Sequence, residues 1–241
     1  MTLFEFDYFS RVLSLQTSAA ILAPDDPALG PFHVMFLLHG YSDNHKTWMR
    51  RTSIERYVEG LPLIVVMPET GHGFYLDVED GLAYGAAIGE ELPRLIEGWL
   101  PTKGPWCVTG LSMGGYGAFR LALANPTRFA SAASHSGALM AGTRRNPALH
   151  SAERQFGPSP AGTPKDLVFL AERLKKEERP ALRMDCGDED FLLEDTREFH
   201  QRLTRMNYAH RYHEHVGDHN WAYWDSHVQE SIAFHRENLL F

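Results

Sequence analysis

The chain is poor in cysteine, in long apolar runs and in positive charge. Its 241 residues include two cysteines, Cys107 and Cys186, which are too few for a disulfide framework and are not spaced as a metal-binding pair. A membrane-spanning helix requires a run of about 18 apolar residues, and no run in this chain approaches that length. Lys and Arg number 23 against 31 Asp and Glu, and the net charge of -8 has the wrong sign for binding phosphate backbones. These shortages argue against a disulfide scaffold, a membrane protein and a nucleic-acid-binding protein.

The first residues also lack the pattern of a secretory signal. Glu5, Asp7 and Arg11 interrupt the apolar residues of 1–21, so a basic n-region followed by an unbroken apolar h-region is absent. We therefore expect a cytoplasmic protein.

What is present is an ordinary globular composition, with 44% hydrophobic and 22% charged residues. Apolar alternation in 3–22 predicts antiparallel strands, and short buried-type runs predict further strands at 33–38, 63–67, 106–109, 130–136, 181–186 and 211–216. Helical spacing predicts helices at 47–58, 81–99, 116–124, 165–178, 192–206 and 221–237. The alternation of strands and helices predicts one α/β domain over 1–241, with a mostly parallel sheet of about eight strands and helices on both faces. The Gly- and Pro-containing stretch 137–164 is expected to pass over one end of the sheet and to cover a pocket.

The segment 110–114, Gly-Leu-Ser-Met-Gly, joins a predicted strand to a predicted helix and fits the G-x-S-x-G pattern of a nucleophile elbow. The sharp turn leaves no room for a Cβ at Gly110 or Gly114, and it lifts the hydroxyl of Ser112 clear of the sheet. The pattern and its context together predict that Ser112 is a catalytic nucleophile.

A serine nucleophile needs a base, and the chain has 13 histidines. In this type of fold the histidine follows the last strand, and His219 lies in the polar loop 216–221 at that place. His213 and His215 lie on the predicted strand itself, and His227 and His235 lie in the last helix, so all four are poorer candidates. We predict His219 as the base.

The acid is expected between the nucleophile and the histidine in the chain, where 185–190 offers Asp185, Asp188, Glu189 and Asp190. Such a carboxylate orients the imidazole and stabilises its protonated form. Asp185 is expected on the strand, but position alone does not separate Asp188 from Asp190.

An oxyanion hole needs two backbone N–H donors, one of them from the residue after the nucleophile, which is Met113. The second is expected from the loop His39-Gly40-Tyr41-Ser42 after the first parallel strand, where the amide of Tyr41 can face Ser112. His39 is then a structural residue.

The chain resembles the esterase family of α/β-hydrolases that includes esterase D, formylglutathione hydrolases, tributyrin esterases and some feruloyl and acetylxylan esterases. Residues 48–52 and 90–93 are most similar to the compact tributyrin esterase-like members. The segments that carry the resemblance occur in the order of the family, namely Leu37-Leu38-His39-Gly40, Ile64-Val65-Val66-Met67-Pro68, Gly110-Leu111-Ser112-Met113-Gly114-Gly115, Cys186-Gly187-Asp188-Glu189-Asp190-Phe191-Leu192 and His219-Asn220-Trp221.

In the family segment that resembles 186–192, the acid directly precedes a Phe-Leu pair, so the resemblance implies Asp190. It further implies Ser112 as nucleophile, His219 as base and the amides of Tyr41 and Met113 as the oxyanion hole. No metal or organic cofactor is implied.

The bulk of Tyr41 beside Ser112 suggests a restricted substrate pocket, to which Phe74, Tyr75, Trp221 and Trp224 are candidate contributors. The resulting prediction is a serine carboxylesterase that hydrolyses small, short-chain acyl esters through an acyl-enzyme. An S-formylglutathione-type thioesterase, a carbohydrate acetyl or feruloyl esterase, an acyltransferase and an inactive hydrolase-fold scaffold are the alternatives. Neither nucleic acid nor membrane is an expected partner, and the choice between monomer and homo-oligomer stays open.

Overall fold

The computed structural model describes residues 1–79, 81–144, 149 and 152–241, and in these residues eight strands form one sheet. The strands are β1 (Thr2–Ser10), β2 (Leu15–Ala23), β3 (His33–Leu38), β4 (Leu63–Pro68), β5 (Trp106–Leu111), β6 (Phe129–His135), β7 (Ala181–Gly187) and β8 (His210–His215). Their order in the sheet is β1-β2-β4-β3-β5-β6-β7-β8. The pairs β1–β2 and β2–β4 are antiparallel, and every other neighbouring pair is parallel. The predicted mostly parallel sheet is confirmed.

Helices cover both faces of the sheet. They are α1 (Thr47–Arg51), α2 (Ile54–Val58), α3 (Tyr84–Ala86), α4 (Leu92–Trp99), α5 (Met113–Ala124), α6 (Glu153–Phe156), α7 (Leu167–Arg173), α8 (Leu193–Arg205) and α9 (Trp221–Leu239). The apolar residues of α4, α5, α7 and α8 belong to one core cluster, and those of α1, α2 and α9 belong to a second. Of the helices described, none has the length and apolar composition to cross a membrane.

The central strand β3 shows why the apolar runs are continuous. Val34, Phe36 and Leu38 face the first core cluster, whereas Met35 and Leu37 face the second. Successive side chains of a strand point to opposite faces, so a strand covered by helices on both faces needs apolar residues at every position.

The single helix predicted over 47–58 is wrong, because the chain forms the two short helices α1 and α2. Thr52 has extended backbone angles, and its amide and hydroxyl both bond back to the carbonyl of Trp48. The amide of Ser53 donates to Asp225 on α9 at 3.0 Å. A side chain distant in sequence thus stabilises the break, which local spacing does not reveal.

The helix predicted over 81–99 begins three residues later and is irregular. Asp77 accepts a hydrogen bond from the amide of Ala86 at 2.9 Å, in the first turn. A π-helical segment, Ala87–Glu91, then separates α3 from α4. Pro93 follows it, and its missing N–H removes one regular helical hydrogen bond at this point.

The carboxyl ends of the parallel strands lie at one edge of the sheet. The loop after β3, the turn after β5, the segment after β7 and the loop after β8 therefore meet there, although up to 180 residues separate them in the sequence. Clefts at this edge are the usual ligand sites of open α/β sheets.

Candidate active site

Ser112 lies on the turn between β5 and α5 in a backbone conformation that L-residues rarely adopt, with φ 52° and ψ -116°. A Cβ added to Gly110 would lie 2.1 Å from the carbonyl oxygen of Gly114, and one added to Gly114 would lie 2.4 Å from the carbonyl oxygen of Leu38. Side chains at either position would collide with backbone, which cannot easily move. The glycines thus have the steric role that the G-x-S-x-G pattern predicts.

The hydroxyl of Ser112 faces His219 in the loop after β8. The Ser112 Oγ to His219 Nε2 distance is 3.1 Å, and His219 Nδ1 lies 2.9 Å from Asp190 Oδ2 and 3.0 Å from Oδ1. We call these three residues the candidate triad. All three distances allow hydrogen bonds, and the order serine, imidazole, carboxylate is that of serine hydrolases.

Asp190 is held in place from several sides. It is 5% exposed, and its Oδ1 accepts a hydrogen bond from the amide of Leu192 at 2.8 Å. Burial raises the pKa of this carboxyl, but the hydrogen bond and charge of His219 outweigh burial and keep the pKa below its usual value. The group is therefore an ionised acceptor at neutral pH.

The other acidic candidates have different contacts. Asp188 accepts a hydrogen bond from the amide of Gly217 at 2.9 Å, which links the segments that carry Asp190 and His219. Asp185 is fully buried on β7 and faces His135 and Arg183. Glu189 is exposed.

The other histidine candidates contact residues other than Ser112. His213 and His215 lie on β8 with their rings stacked 5.8 Å apart, as strand alternation predicts. On α9, His227 contacts Glu230, and His235 lies between the hydroxyls of Thr109 and Ser131.

The loop after β3 approaches Ser112 closely. A Cβ on Gly40 would lie 2.7 Å from Leu111 Cδ1 and 3.8 Å from the Cβ of Ser112. Asp43 accepts a hydrogen bond from the amide of Gly40 at 3.2 Å and so closes the loop. The oxyanion role of the amides of Tyr41 and Met113 stays a prediction.

His39, interpreted above as structural, is 1% exposed. Its Nδ1 lies 2.7 Å from the carbonyl oxygen of Gly40, and its Nε2 accepts from the amide of Thr70 at 3.2 Å. These bonds join the loop after β3 to the loop after β4.

A cavity of about 430 Å³ opens at Ser112, and Tyr41, Phe74, Trp221 and Trp224 are among the residues that line it. Tyr75 does not line the cavity, because its ring is buried and its hydroxyl donates to the carbonyl of His39 at 3.0 Å. Adjacent aromatic residues in this loop thus have different surroundings, which sequence position does not reveal.

Sequence reasoning did not place Asp43 or Phe191 in the cavity wall, and both line it. Phe191 has its ring centroid 4.4 Å from that of His219 and is 53% exposed. The resemblance to the family segment 186–192 was the available signal for this position.

Among the described residues that line the cavity, Asp43 is the one with a carboxylate. Burial raises its pKa, against the opposing effect of His39, of the Gly40 hydrogen bond and of the positive charges nearby. No Lys or Arg is found among the described residues that line the cavity.

The predicted pocket-covering stretch 137–164 lies partly outside the described residues, at 145–148 and 150–151. Of its described residues, Leu149 and Ala152 line the cavity.

Known proteins resemble the chain over its whole length. The model of the Esterase family, described as "Putative esterase", matches residues 10–235. An acetyl esterase of Caldicellulosiruptor saccharolyticus is 28% identical over 260 residues, covering 97% of this chain and 98% of the relative.

Two solved structures from Staphylococcus aureus have the same architecture. A substrate-bound fluorophosphonate-binding serine hydrolase is 28% identical, with a TM-score of 0.87 and 97% of each chain covered. An S-formylglutathione hydrolase is 28% identical, with a TM-score of 0.83, covering 97% of this chain and 98% of that chain. The chain belongs to the Esterase family and is an esterase with the α/β-hydrolase fold.

Proposed function

We propose that this esterase hydrolyses small, uncharged carboxylic esters with short acyl chains, and that Ser112, His219 and Asp190 are its catalytic residues. The observation that carries the proposal is the continuous hydrogen-bonded path from Ser112 Oγ through both ring nitrogens of His219 to Asp190, at the floor of an open cavity.

In the proposed reaction, His219 Nε2 takes the hydroxyl proton of Ser112 as Oγ attacks the ester carbonyl carbon. The tetrahedral intermediate collapses, His219 returns that proton to the departing alkoxide, and an alcohol leaves. Water, deprotonated by His219, then attacks the acyl carbon; the bond from this carbon to Ser112 Oγ breaks, His219 returns the proton to Oγ, and the carboxylic acid leaves. Asp190 keeps the imidazole in the tautomer with Nδ1–H and stabilises its charged form.

The negative oxygen of the intermediate needs donors that are already in place. We assign this role to the amides of Tyr41 and Met113. Met113 is the first residue of the 12-residue helix α5, so its N–H belongs to the unpaired amides at a positive helix end. Removal of one oxyanion donor costs on the order of 3 kcal/mol in a measured hydrolase.

The size of the cavity favours a short acyl chain. Its about 430 Å³ is near the lower end of the range for small-molecule sites, and the leaving alcohol shares this space with the acyl group. Tyr41 stacks on His72 with ring centroids 4.0 Å apart, and Phe74 packs edge-on against Tyr116 and Phe156. Because these rings are held by neighbours, a long chain has little room to displace them.

The charge of the cavity favours an uncharged leaving group over glutathione. Glutathione carries two carboxylates, and the described wall offers the carboxylate of Asp43 without a Lys or Arg. S-formylglutathione is the second candidate, supported by the 28% identity to the S. aureus hydrolase of that name.

The test is hydrolysis of p-nitrophenyl esters from acetyl to dodecanoyl, with Ser112→Ala as the blank and S-formylglutathione as a parallel substrate. We expect a Ser112-dependent kcat/KM that is highest at about two to four acyl carbons, because the cavity is small. A higher kcat/KM for the thioester would replace the ester proposal with the thioesterase. Turnover that persists in Ser112→Ala would refute the assignment of the nucleophile.

A further inference from the structure

A cluster of potential metal ligands lies outside the candidate active site, at the junction of β8 and α9. His215 is the last residue of β8, and His227 and Glu230 lie on α9. In the described part of the chain, these three residues form the group whose side-chain chemistry and spacing suit a metal ion, with ligand atoms within 4.8 Å of one another. We propose that His215, His227 and Glu230 bind a divalent transition-metal ion of the Zn²⁺ class.

The donor set fits this class of ion. Two imidazole nitrogens and one carboxylate oxygen are a recurrent protein ligand set for Zn²⁺, with water completing the tetrahedron. Hard ions such as Mg²⁺ and Ca²⁺ prefer oxygen ligands throughout. The set therefore favours Zn²⁺ and similar nitrogen-binding ions.

The side chains already face one another. His227 Nδ1 lies 2.8 Å from Glu230 Oε1, and His215 Nε2 lies 3.5 Å from Glu230 Oε2. The two imidazole rings stack with centroids 4.0 Å apart. Ligand atoms about 2.1 Å from a tetrahedral ion lie about 3.4 Å from each other, so the spacing of the ligand atoms suits an ion. Because the lone pair of an imidazole nitrogen lies in the ring plane, one of the two stacked rings must turn out of the stack for both nitrogens to reach the same ion.

One nitrogen of the cluster is an unsatisfied hydrogen-bonding atom among the described residues. His215 Nε2 is buried and has no hydrogen-bond partner among the described residues. A buried polar atom without a partner is costly, and such atoms in native proteins commonly mark an ion or a water. His215 Nε2 is directed at the carboxylate of Glu230, which is where an ion would lie.

The backbone that carries the ligands is rigid. The carbonyl of His215 accepts a hydrogen bond from the amide of Asp188 at 2.8 Å, and His215 pairs with Gly187 on β7. His227 and Glu230 are three residues apart on α9, so they lie on the same face of that helix. Ligands on regular elements keep their spacing better than ligands on loops.

Charge and access also permit binding. Arg183 contacts Glu230, but it also contacts Asp185, so this group of three charges keeps one excess negative charge. The side chain of Glu230 is 42% exposed and that of His215 is 27% exposed, which gives an ion a path from solvent. Arg183 competes for the carboxylate, and we therefore expect micromolar rather than tighter affinity.

The consequence concerns the loop that carries His219. His215 precedes this loop and His227 follows it, so an ion bound to both would cross-link the two elements from which the loop extends.

The test is a titration of chelator-treated protein with ZnCl₂ in competition with a chromophoric chelator. We expect one equivalent to bind with a Kd of about 1–100 µM. At tenfold excess over this Kd, the melting temperature should rise by about 3–6 °C, since only the native state holds the three ligands together.

The variants are His227→Gln and Glu230→Gln, and each should weaken binding by about tenfold or more. His200→Gln is the matched control, because His200 Nδ1 and His210 Nε2 lie 2.7 Å apart and are a rival pair of nitrogens near β8. Binding retained in His200→Gln and lost in the other two supports the site. Equal binding in wild type and His227→Gln, loss in His200→Gln instead, or no saturable binding below about 0.1 mM would each overturn it.

Discussion

The chain contains two serine–histidine–aspartate arrangements with similar distances, the candidate triad at the cavity and a second set in the interior. In the interior set, Ser231 Oγ lies 2.8 Å from His135 Nε2, and His135 Nδ1 lies 3.0 Å from Asp185 Oδ1. The corresponding distances of the candidate triad are 3.1 and 2.9 Å. Hydrogen-bond geometry alone does not distinguish them.

The surroundings of the two sets distinguish them. All three interior residues are 0% exposed, and Ser231 lies inside the regular helix α9. Ser112, in contrast, occupies a strained turn at a helix N-terminus and opens on a cavity. Access to the cavity, a nearby helix end and the strained turn make the candidate triad the better candidate for catalysis, whereas the buried set links α9, β6 and β7.

The largest expected contrast is between the two serines. Ser112→Ala should lower kcat by about 10⁴- to 10⁶-fold, because the proposed nucleophile is removed. Ser231→Ala should keep kcat and lower the free energy of unfolding by about 1–2 kcal/mol, through loss of one buried hydrogen bond. Ester turnover and urea unfolding of both variants measure this, and a large fall in kcat for folded Ser231→Ala would contradict the comparison.

The next contrast is between Asp190 and Asp188 in the segment 185–190. Asp190→Asn should lower kcat by about 10⁴-fold, because the amide no longer holds His219 in the productive tautomer. Asp188→Asn is the matched control and should leave kcat within about threefold, since an amide oxygen can still accept the hydrogen bond from Gly217. If Asp188→Asn were the more damaging change in a kcat assay, the acid would be wrongly assigned.

Asp185, the aspartate of the interior set, should affect stability rather than turnover. Asp185→Asn should lower the free energy of unfolding by about 3–5 kcal/mol, because the buried Arg183 and His135 lose a charged partner. The folded fraction should retain wild-type kcat, in contrast to Asp190→Asn. Denaturant titration paired with kcat per folded molecule tests this, and a stable variant with low kcat would give Asp185 a role at the site.

The smallest expected effect is a pH dependence of the free energy of unfolding, which arises from the buried His235. Burial, with the charges of Arg183 and His135, lowers the pKa of His235 to about 3. Between about pH 6.5 and pH 3 the unfolded chain therefore binds a proton at this residue that the native state does not, so stability falls as the pH falls. The slope should reach about 1.4 kcal/mol per pH unit.

The His235→Gln variant removes this titration. Urea unfolding at pH 7, 6 and 5 should show a flatter stability profile for His235→Gln than for the wild type. Identical profiles would mean that His235 does not stay neutral in the native state.

The sequence alone predicts the sheet and Ser112 for physical reasons. Strands covered on both faces need continuous apolar runs, and the elbow needs glycines at two fixed positions. His219 follows from its place after the last strand. The choice of Asp190 over Asp188 needed the family resemblance, because both lie in one short turn.

Other features depend on contacts between residues distant in the sequence. The break between α1 and α2 depends on Asp225, and the interior set joins β6, β7 and α9 across up to 96 residues. An isolated polar residue in a strand or helix has no local sequence pattern that predicts such a partner. The same holds for Asp43 in the cavity wall.

The loop that carries Phe74 has a consequence for engineering. Phe74 and Tyr75 both have positive φ, at 52° and 54°, and Tyr75 is bonded to the loop after β3. Phe74 also packs against core aromatic rings, so enlarging the pocket there would disturb the loop and the core together. Phe191, on the same cavity and 53% exposed, forms no ring contact with a core aromatic residue in the described part of the chain. Libraries that aim at bulkier acyl or alcohol groups should therefore start at Phe191 and leave Phe74 unchanged.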